Sequence, residues 1–359
     1  MPATRPPASR AGARRGQRAH SRDLAVTAGG SARGSLQVDA DRAEAGSEAL
    51  RYAGDLDLRA HLLRSEDGAD LRAEDVALTT RGTVRRLGAT SAARAEVHVP
   101  ALVLEDGKPL RAEGSAKVAL DDLRVLHGLR GKNLQLGAGA GSVEASFGYD
   151  GQEQVLAGAA VFDARGGARW GGVAMRGRVK GEVERYRIDL QKQEAEVRGV
   201  AVRLRDVDLW MGKREAEVAG WWADLRAPSA QVSWRDDAVL RATDFSADCR
   251  DGEPLLELLA ATDSMPAWVG DVLHLPRLRG RGSVATRGEH IALEMNATAE
   301  GASLQASLRH DGALDAAALL RLGPLSAGLK VANGEASVSL FAGDSWLRRE
   351  RAELAHASR

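Results

Sequence analysis

Apolar and polar side chains alternate along most of this chain from residue 35 onward. Leu56, Leu58 and Leu62 occupy even-numbered positions, and charged or polar residues occupy most of the positions between them. A period of two residues is the pattern of a β-strand, whose successive side chains point to opposite faces. The same pattern recurs around Ile188, Val202, Val232 and Leu293. The sequence therefore predicts many strands, each with one apolar and one charged face.

Short turns that contain glycine separate these segments. Examples are Asp150-Gly151 and Asp311-Gly312, which are typical of connections between antiparallel strands. Helical patterns are confined to residues 254–261, 267–273 and, ambiguously, 121–129. We therefore expect an all-β fold, a long twisted antiparallel sheet with two or three short helices.

An aspartate recurs where the alternation changes phase. Asp75, Asp206 and Asp244 each follow one alternating run and precede another of opposite parity, and Asp122 lies in a similar context. A β-bulge adds one residue to a strand and so restores the facing of the side chains beyond it. We predict a bulge at or beside each of these aspartates. Their spacing suggests a degenerate repeat of about 40 residues.

Composition excludes several functional classes. The 50 basic and 50 acidic residues balance, which argues against a general nucleic-acid binder. The single cysteine, Cys249, excludes an intramolecular disulfide and a cysteine-based zinc site. The histidines lack metal-ligand spacing, and neither a P-loop nor a nucleophile elbow is present. We therefore predict a protein that is not an enzyme, with no catalytic residues, no metal and no cofactor.

Changes in pattern divide the chain into five parts. Residues 1–34 are rich in arginine, glycine and proline, and we expect a disordered basic tail there. Residues 35–250 and 277–342 carry the alternation and form the two β segments. Residues 251–276 are expected to form a short helical insertion, and residues 343–359 a polar tail that is helical or disordered.

The apolar faces allow two arrangements. Two sheets could bury these faces against each other in a sandwich, or one sheet could curl into an open hydrophobic groove. Only 4% of the residues are aromatic, which favours a smooth open groove over a compact core. The predicted lining residues are Leu56, Leu58, Leu62, Tyr186, Ile188, Leu190, Val200, Val202, Leu204, Val218, Trp222, Val232, Trp234, Ile291, Leu293 and Met295. Mixed charges on the other face, including Glu194 and Arg205, are interpreted as cross-strand pairs.

The chain resembles the AsmA-like group of bacterial envelope proteins, which includes TamB-, YhdP- and YdbH-type members. The resemblance is carried by the repeated apolar-x-Asp-apolar-x-apolar strands and is clearest over residues 255–347. That stretch contains Leu-Leu-Glu-Leu-Leu from Leu255, Met265-Pro266-Ala267-Trp268, the segment 278–284, Gly323-Pro324-Leu325 and Asp344-Ser345-Trp346-Leu347.

This resemblance implies a periplasmic, non-enzymatic groove that conducts phospholipid acyl chains between the inner and outer membranes. Its implied partners are phospholipid or another acyl lipid, and membrane surfaces or envelope proteins. Family members are expected to have an N-terminal transmembrane helix, and this sequence does not contain one. A charged residue at Leu204 or Leu293 is expected to block lipid passage with a modest loss of stability.

Two alternatives remain open from the sequence. The chain could be a structural or adhesive β-protein, a closed sandwich or a solenoid, without lipid cargo. An enzyme on a β scaffold would need a pocket where His98, His127 or His274 meets an acid. Whether the apolar face of the sheet is open or covered distinguishes the groove from the sandwich.

Overall fold

One antiparallel sheet makes up most of the protein. The computed structural model describes residues 18–27, 31–40, 50–64, 70–105, 108–126, 134–170, 173–211, 218–234, 239–252, 254, 275–287, 290–311, 313–332 and 335–356. The strands are β1 (Arg18–Thr27), β2 (Ser31–Ala40), β3 (Leu50–Arg64), β4 (Asp70–Arg86), β5 (Ala89–Glu105), β6 (Lys108–Leu120), β7 (Leu134–Asp150), β8 (Val155–Trp170), β9 (Val173–Asp189), β10 (Glu194–Met211), β11 (Val218–Ser233), β12 (Val239–Cys249), β13 (Arg279–Arg287), β14 (His290–Ala299), β15 (Ala302–Asp311), β16 (Ala313–Leu322), β17 (Leu325–Ala332) and β18 (Glu335–Leu340).

Each strand pairs with the next one along the chain, from β1–β2 to β17–β18. The result is a meander of 18 strands. Within the described part of the chain, no register joins β1 to β18, so the sheet has two edges. The prediction of an all-β, antiparallel, curled sheet is confirmed.

The described strands extend into the segment predicted as a basic tail, since residues 18–27 and 31–34 lie in β1 and β2. Backbone pairing does not depend on side-chain type, and charged residues are common on edge strands. The predicted helices at 254–261 and 267–273 lie outside the described residues, apart from Pro254. Residues 121–129 contain a 3-10 turn at Leu123–Leu126.

The C-terminal segment forms a helix, α1 (Asp344–His356), and packs against the sheet. Leu347 and Leu354 on α1 form a buried cluster with Ala317 and Leu319 of β16. Register places Ala318 and Leu320 on the apolar face of β16, so the helix covers the opposite face. The strand β16 therefore carries apolar residues on both faces, and those under α1, Ala317 and Leu319, are fully buried.

Charged side chains fasten α1 to the sheet. Lys330 Nζ lies 2.6 Å from carboxylate oxygens of both Glu350 and Glu353, and Arg309 donates a 2.7 Å hydrogen bond to the Leu354 carbonyl. Hydrogen bonds to Glu350 and Glu353 raise the pKa of Lys330, and Lys330 lowers the pKa of Glu353. This set of ion pairs is therefore complete at pH values between 4.5 and 10.5, the ordinary pKa values of the glutamate and lysine side chains. It is lost below that range as Glu353 is protonated and above it as Lys330 loses its proton.

Leu347→Ala is expected to lower the free energy of unfolding by about 2–3 kcal/mol, because it leaves a cavity between α1 and β16. Urea denaturation measures the loss, and amide hydrogen exchange should show faster exchange in α1. Ser345→Ala, an exposed change on the same turn, is the control. Equal stability of the two variants would show that α1 contributes nothing to the sheet.

Candidate functional site

The registers place most of the apolar side chains on one side of the sheet. Residues that lie opposite each other in an antiparallel pair point to the same face. One row of such partners crosses β3 to β10 and consists of Leu58, Leu78, Val97, Ala116, Ala145, Ala160, Val183 and Val200. A second row continues from β10 to β18 and consists of Val202, Leu225, Ala247, Gly280, Ala297, Leu304, Leu320, Ala327 and Leu340. We call the side that carries these rows the apolar face, and the other side the charged face.

Bulges at two of the predicted aspartates keep the apolar face continuous. Asp75 and Asp206 have positive φ angles of 50° and 51°. The β3–β4 register shifts beside Asp75, and both registers of β10 shift beside Asp206. Leu204 and Leu209 consequently share the apolar face although their positions differ in parity. The bulge predictions at Asp75 and Asp206 are confirmed.

The other two aspartates behave differently from each other. The β12 registers shift on both sides of Asp244, which confirms an irregularity there. Asp122 is not in a bulge. Its Oδ1 accepts a 3.0 Å hydrogen bond from the Arg124 backbone N–H at the start of the 3-10 turn. An aspartate side chain can cap a helical turn in this way, so the sequence context alone does not distinguish the two roles.

Trp222 lies on the charged face, and its assignment to the groove lining is wrong. Val207 pairs with Trp221 and Leu209 pairs with Val218, so β11 contains one residue more than β10 between these pairs. Gly220, with a φ of +64°, lies between Trp221 and Val218. The buried Trp221 therefore occupies the apolar face, and Trp222 lies under the Arg205 guanidinium at 5.7 Å.

Most of the other predicted lining residues lie on the apolar face by register. These are Leu56, Leu58, Tyr186, Ile188, Val200, Val202, Leu204, Val218, Val232, Ile291, Leu293 and Met295. Leu190 and Trp234 directly follow β9 and β11 and are exposed. The backbone of Leu62 pairs with Ala73, and its side chain is not among those described.

Large aliphatic side chains on the apolar face are exposed to solvent. Val118 on β6 is 43% exposed, Val143 on β7 is 47% exposed, Leu225 on β11 is 40% exposed, and Ile291 on β14 is 37% exposed. The sequence analysis did not identify Val118, Val143 and Leu225, because alanine or glycine occupies most of the positions two residues away from them, on the same face. A stretch of apolar surface on a folded protein is typical of a ligand or membrane site.

The 3-10 turn and the segment that contains Leu275 and Leu278 cover one end of the apolar face. This is the end at which the even-numbered strands from β4 to β16 finish. Val125 of the 3-10 turn is fully buried against Val84 and Ala93. Farther along the sheet, a larger buried cluster contains Val207, Leu209, Trp221, Ala223, Cys249, Leu275, Leu278 and Ala297. Burial raises the pKa of the Cys249 thiol to about 11, so this thiol is neutral in the cluster. We call this end the capped end.

Cross-strand ion pairs cover the charged face, as expected. Arg178 binds Asp163 through two hydrogen bonds, of which the Nε bond is 3.0 Å long, and Arg205 lies 2.6 Å from Asp224. Arg178 lowers the pKa of the Asp163 carboxyl, mainly through these hydrogen bonds. Both pairs are partly exposed, and such pairs contribute little to stability. Their main effect is to make this face hydrophilic.

A shallow depression of about 830 Å³ on the charged face is lined by His98 together with Glu96, Lys117 and Glu144. Lys117 and Glu144 form an ion pair across β6 and β7, which raises the pKa of Lys117. His127 and His274 lie outside the described residues. In the ranges that the structure describes, no group of three His, Cys, Asp or Glu side chains could hold a metal ion.

Comparisons of the chain with protein-family models, with curated proteins and with solved structures found no match. Among the helices that the structure describes, none has the length and hydrophobicity needed to cross a membrane.

Proposed function

We propose that the apolar face is a groove that binds phospholipid acyl chains and conducts them between the inner and outer membranes of a bacterial envelope. The observation that supports this most strongly is the exposure of Val118, Val143, Leu225 and Ile291 on four strands of one continuous apolar face. The ion pairs of the other face keep that side in water. The proposal includes that the lining residues contact the acyl chains and that the protein is located in the periplasm.

The free-energy balance suits a conduit. Moving a chain of ~15 carbons from water to an apolar surface is worth about 12 kcal/mol at ~0.8 kcal/mol per methylene. Leaving a bilayer costs a similar amount, so exchange between a membrane and the groove is close to neutral. The lipid head group stays in water at the open side, and no dedicated polar site is required.

The dimensions of the sheet fit the same use. Eighteen strands at a spacing of about 4.8 Å give a contour of about 80 Å across the sheet. The apolar rows follow this contour from β3 to β18, so acyl chains could occupy successive positions along it. A covered end and exposed aliphatic side chains on β6, β7, β11 and β14 are consistent with a groove that is entered from its open part.

Purification without detergent tests the proposal. The protein is expressed in bacteria, its lipids are extracted, and mass spectrometry measures the phospholipid content per protein. We expect phospholipid in a fixed molar ratio, and reloading of the stripped protein from phosphatidylethanolamine vesicles that carry a fluorescent analogue. A folded, lipid-free protein that takes up no analogue would favour the structural β-protein instead.

A further inference from the structure

Aromatic side chains on the apolar face lie opposite glycines. Register pairs Phe147 with Gly114, and Phe162 with Gly181. A Cβ atom on Gly114 would come within 3.0 Å of the Phe147 ring, and a Cβ on Gly181 would overlap the Phe162 ring. Each ring therefore lies across the space that the glycine leaves, close to the backbone of the neighbouring strand.

Two tyrosine rings also pack flat against the sheet. Tyr186 on β9 pairs with Gly158 on β8, and its hydroxyl donates a 2.9 Å hydrogen bond to the Ser146 carbonyl on β7. The ring thus crosses an entire strand over the glycine. Burial of this ring raises the pKa of Tyr186.

Tyr52 on β3 also lies over glycines, although its register partner on β4 is Val84. Its hydroxyl lies over Gly54 and Gly82 and bonds to the Thr80 hydroxyl. Thr80 itself donates to the Asp55 carbonyl at 2.8 Å, so Tyr52 is the donor in the first bond. The polar ends of Tyr52 and Tyr186 are therefore satisfied within the sheet.

We infer that these aromatic–glycine pairs set the depth of the groove, holding the rings flat so that unbranched acyl chains can lie over them. This inference rests on the proposed function, and it identifies the residues that determine how much space is left above the sheet for an acyl chain. Upright rings would divide the apolar face into compartments, whereas flat rings leave a continuous surface on which the tyrosine hydroxyls are hydrogen-bonded within the sheet. Pairing of aromatic rings with glycines on neighbouring strands is also a known means of stabilising sheets, and the experiment separates the two roles.

Gly181 is the position of choice because the three atoms nearest to its hypothetical Cβ all belong to the Phe162 ring. At Gly54 and Gly158, by contrast, the added atom would meet backbone oxygens. Gly181→Val should lift the Phe162 ring into the groove. We expect binding of a fluorescent fatty acid to weaken about tenfold, the loss if roughly two methylene groups leave the surface.

The double variant Phe162→Ala/Gly181→Val should restore binding, since no ring remains to be lifted. Gly148→Val on the charged face, where the nearest atoms lie 3.8 and 3.9 Å from the added Cβ, should bind like wild type.

Binding is expressed per folded protein after circular dichroism and urea titration. Unchanged binding by folded Gly181→Val, or no rescue by the folded double variant, overturns the inference. If Gly181→Val does not fold, Gly181→Ala with the same rescue takes its place. Absence of binding by wild type contradicts the proposed function itself.

Discussion

Deletion of Asp206 is expected to lower the free energy of unfolding by at least about 4 kcal/mol. Val207 and Leu209 follow the bulge on β10 and are both 2% exposed. Without the extra residue their side chains would turn to the charged face, and each loses burial worth about 2 kcal/mol. A slip of β10 by one residue against β9 and β11 would return Val207 and Leu209 to the apolar face, but it would turn Leu204 to the charged face instead. Urea denaturation of the deletion variant measures the loss.

Asp206→Gly is the matched control, because it also removes the carboxylate but keeps the number of residues. Glycine adopts the positive φ of 51° without a steric penalty, so this variant should be as stable as wild type or more stable. Similar large losses in both variants would mean that the carboxylate, and not the bulge, stabilises this region. A deletion variant of native stability would show that β10 tolerates either register.

Local patterns were sufficient to predict the sheet and part of its bulge system. Alternation depends only on neighbouring residues, and it correctly indicated strands around Leu58, Ile188, Val202, Val232 and Leu293, which lie in β3, β9, β10, β11 and β14. The phase changes at Asp75 and Asp206 were visible because clear apolar runs flank both of them. At Gly220 the run Val218-Gly220-Trp222 alternates without a break, and the extra residue is evident only from pairing with β10. Sequence reasoning therefore assigned the wrong tryptophan to the apolar face.

Contacts between distant segments were beyond local patterns. Leu204 was expected to be an open groove residue, yet it packs against the cluster that includes Leu275 and Leu278, about 70 residues away along the chain. Nothing near Leu204 indicates this cover. The docking of α1 did leave a signal, since β16 carries Ala317 and Leu319 between its other apolar residues. A run that is apolar on both faces indicates a strand covered on both sides.

A charge at Val143 is expected to weaken acyl-chain binding by roughly 2–3 kcal/mol, or about 30- to 150-fold. Leu204 is unsuitable for this substitution because it packs against the buried cluster. A charge there would destabilise the fold, and loss of binding could not be separated from loss of folding. Val143 lies on the apolar face and is 47% exposed, so Val143→Glu should change stability by less than about 1 kcal/mol. The carboxylate keeps its hydration shell and holds a chain away from the surface around it.

Val161→Glu provides a closely matched control on the next strand. Val143 pairs with Phe162, and Val161 pairs with Glu144, so the two valines are near neighbours on opposite faces. Val161 is 42% exposed, and the two variants add the same charge at similar exposure. Titration with a fluorescent fatty acid should show weak binding by Val143→Glu and wild-type binding by Val161→Glu. Equal loss in both variants would point to a general charge effect, and wild-type binding by both would place the acyl chains elsewhere. Glu144 and Glu182 are the register partners of Val161, and like charges on paired strands are destabilising, so urea titration of Val161→Glu accompanies the binding measurement. A difference confined to Val143, with both variants folded, would locate the chains on the apolar face.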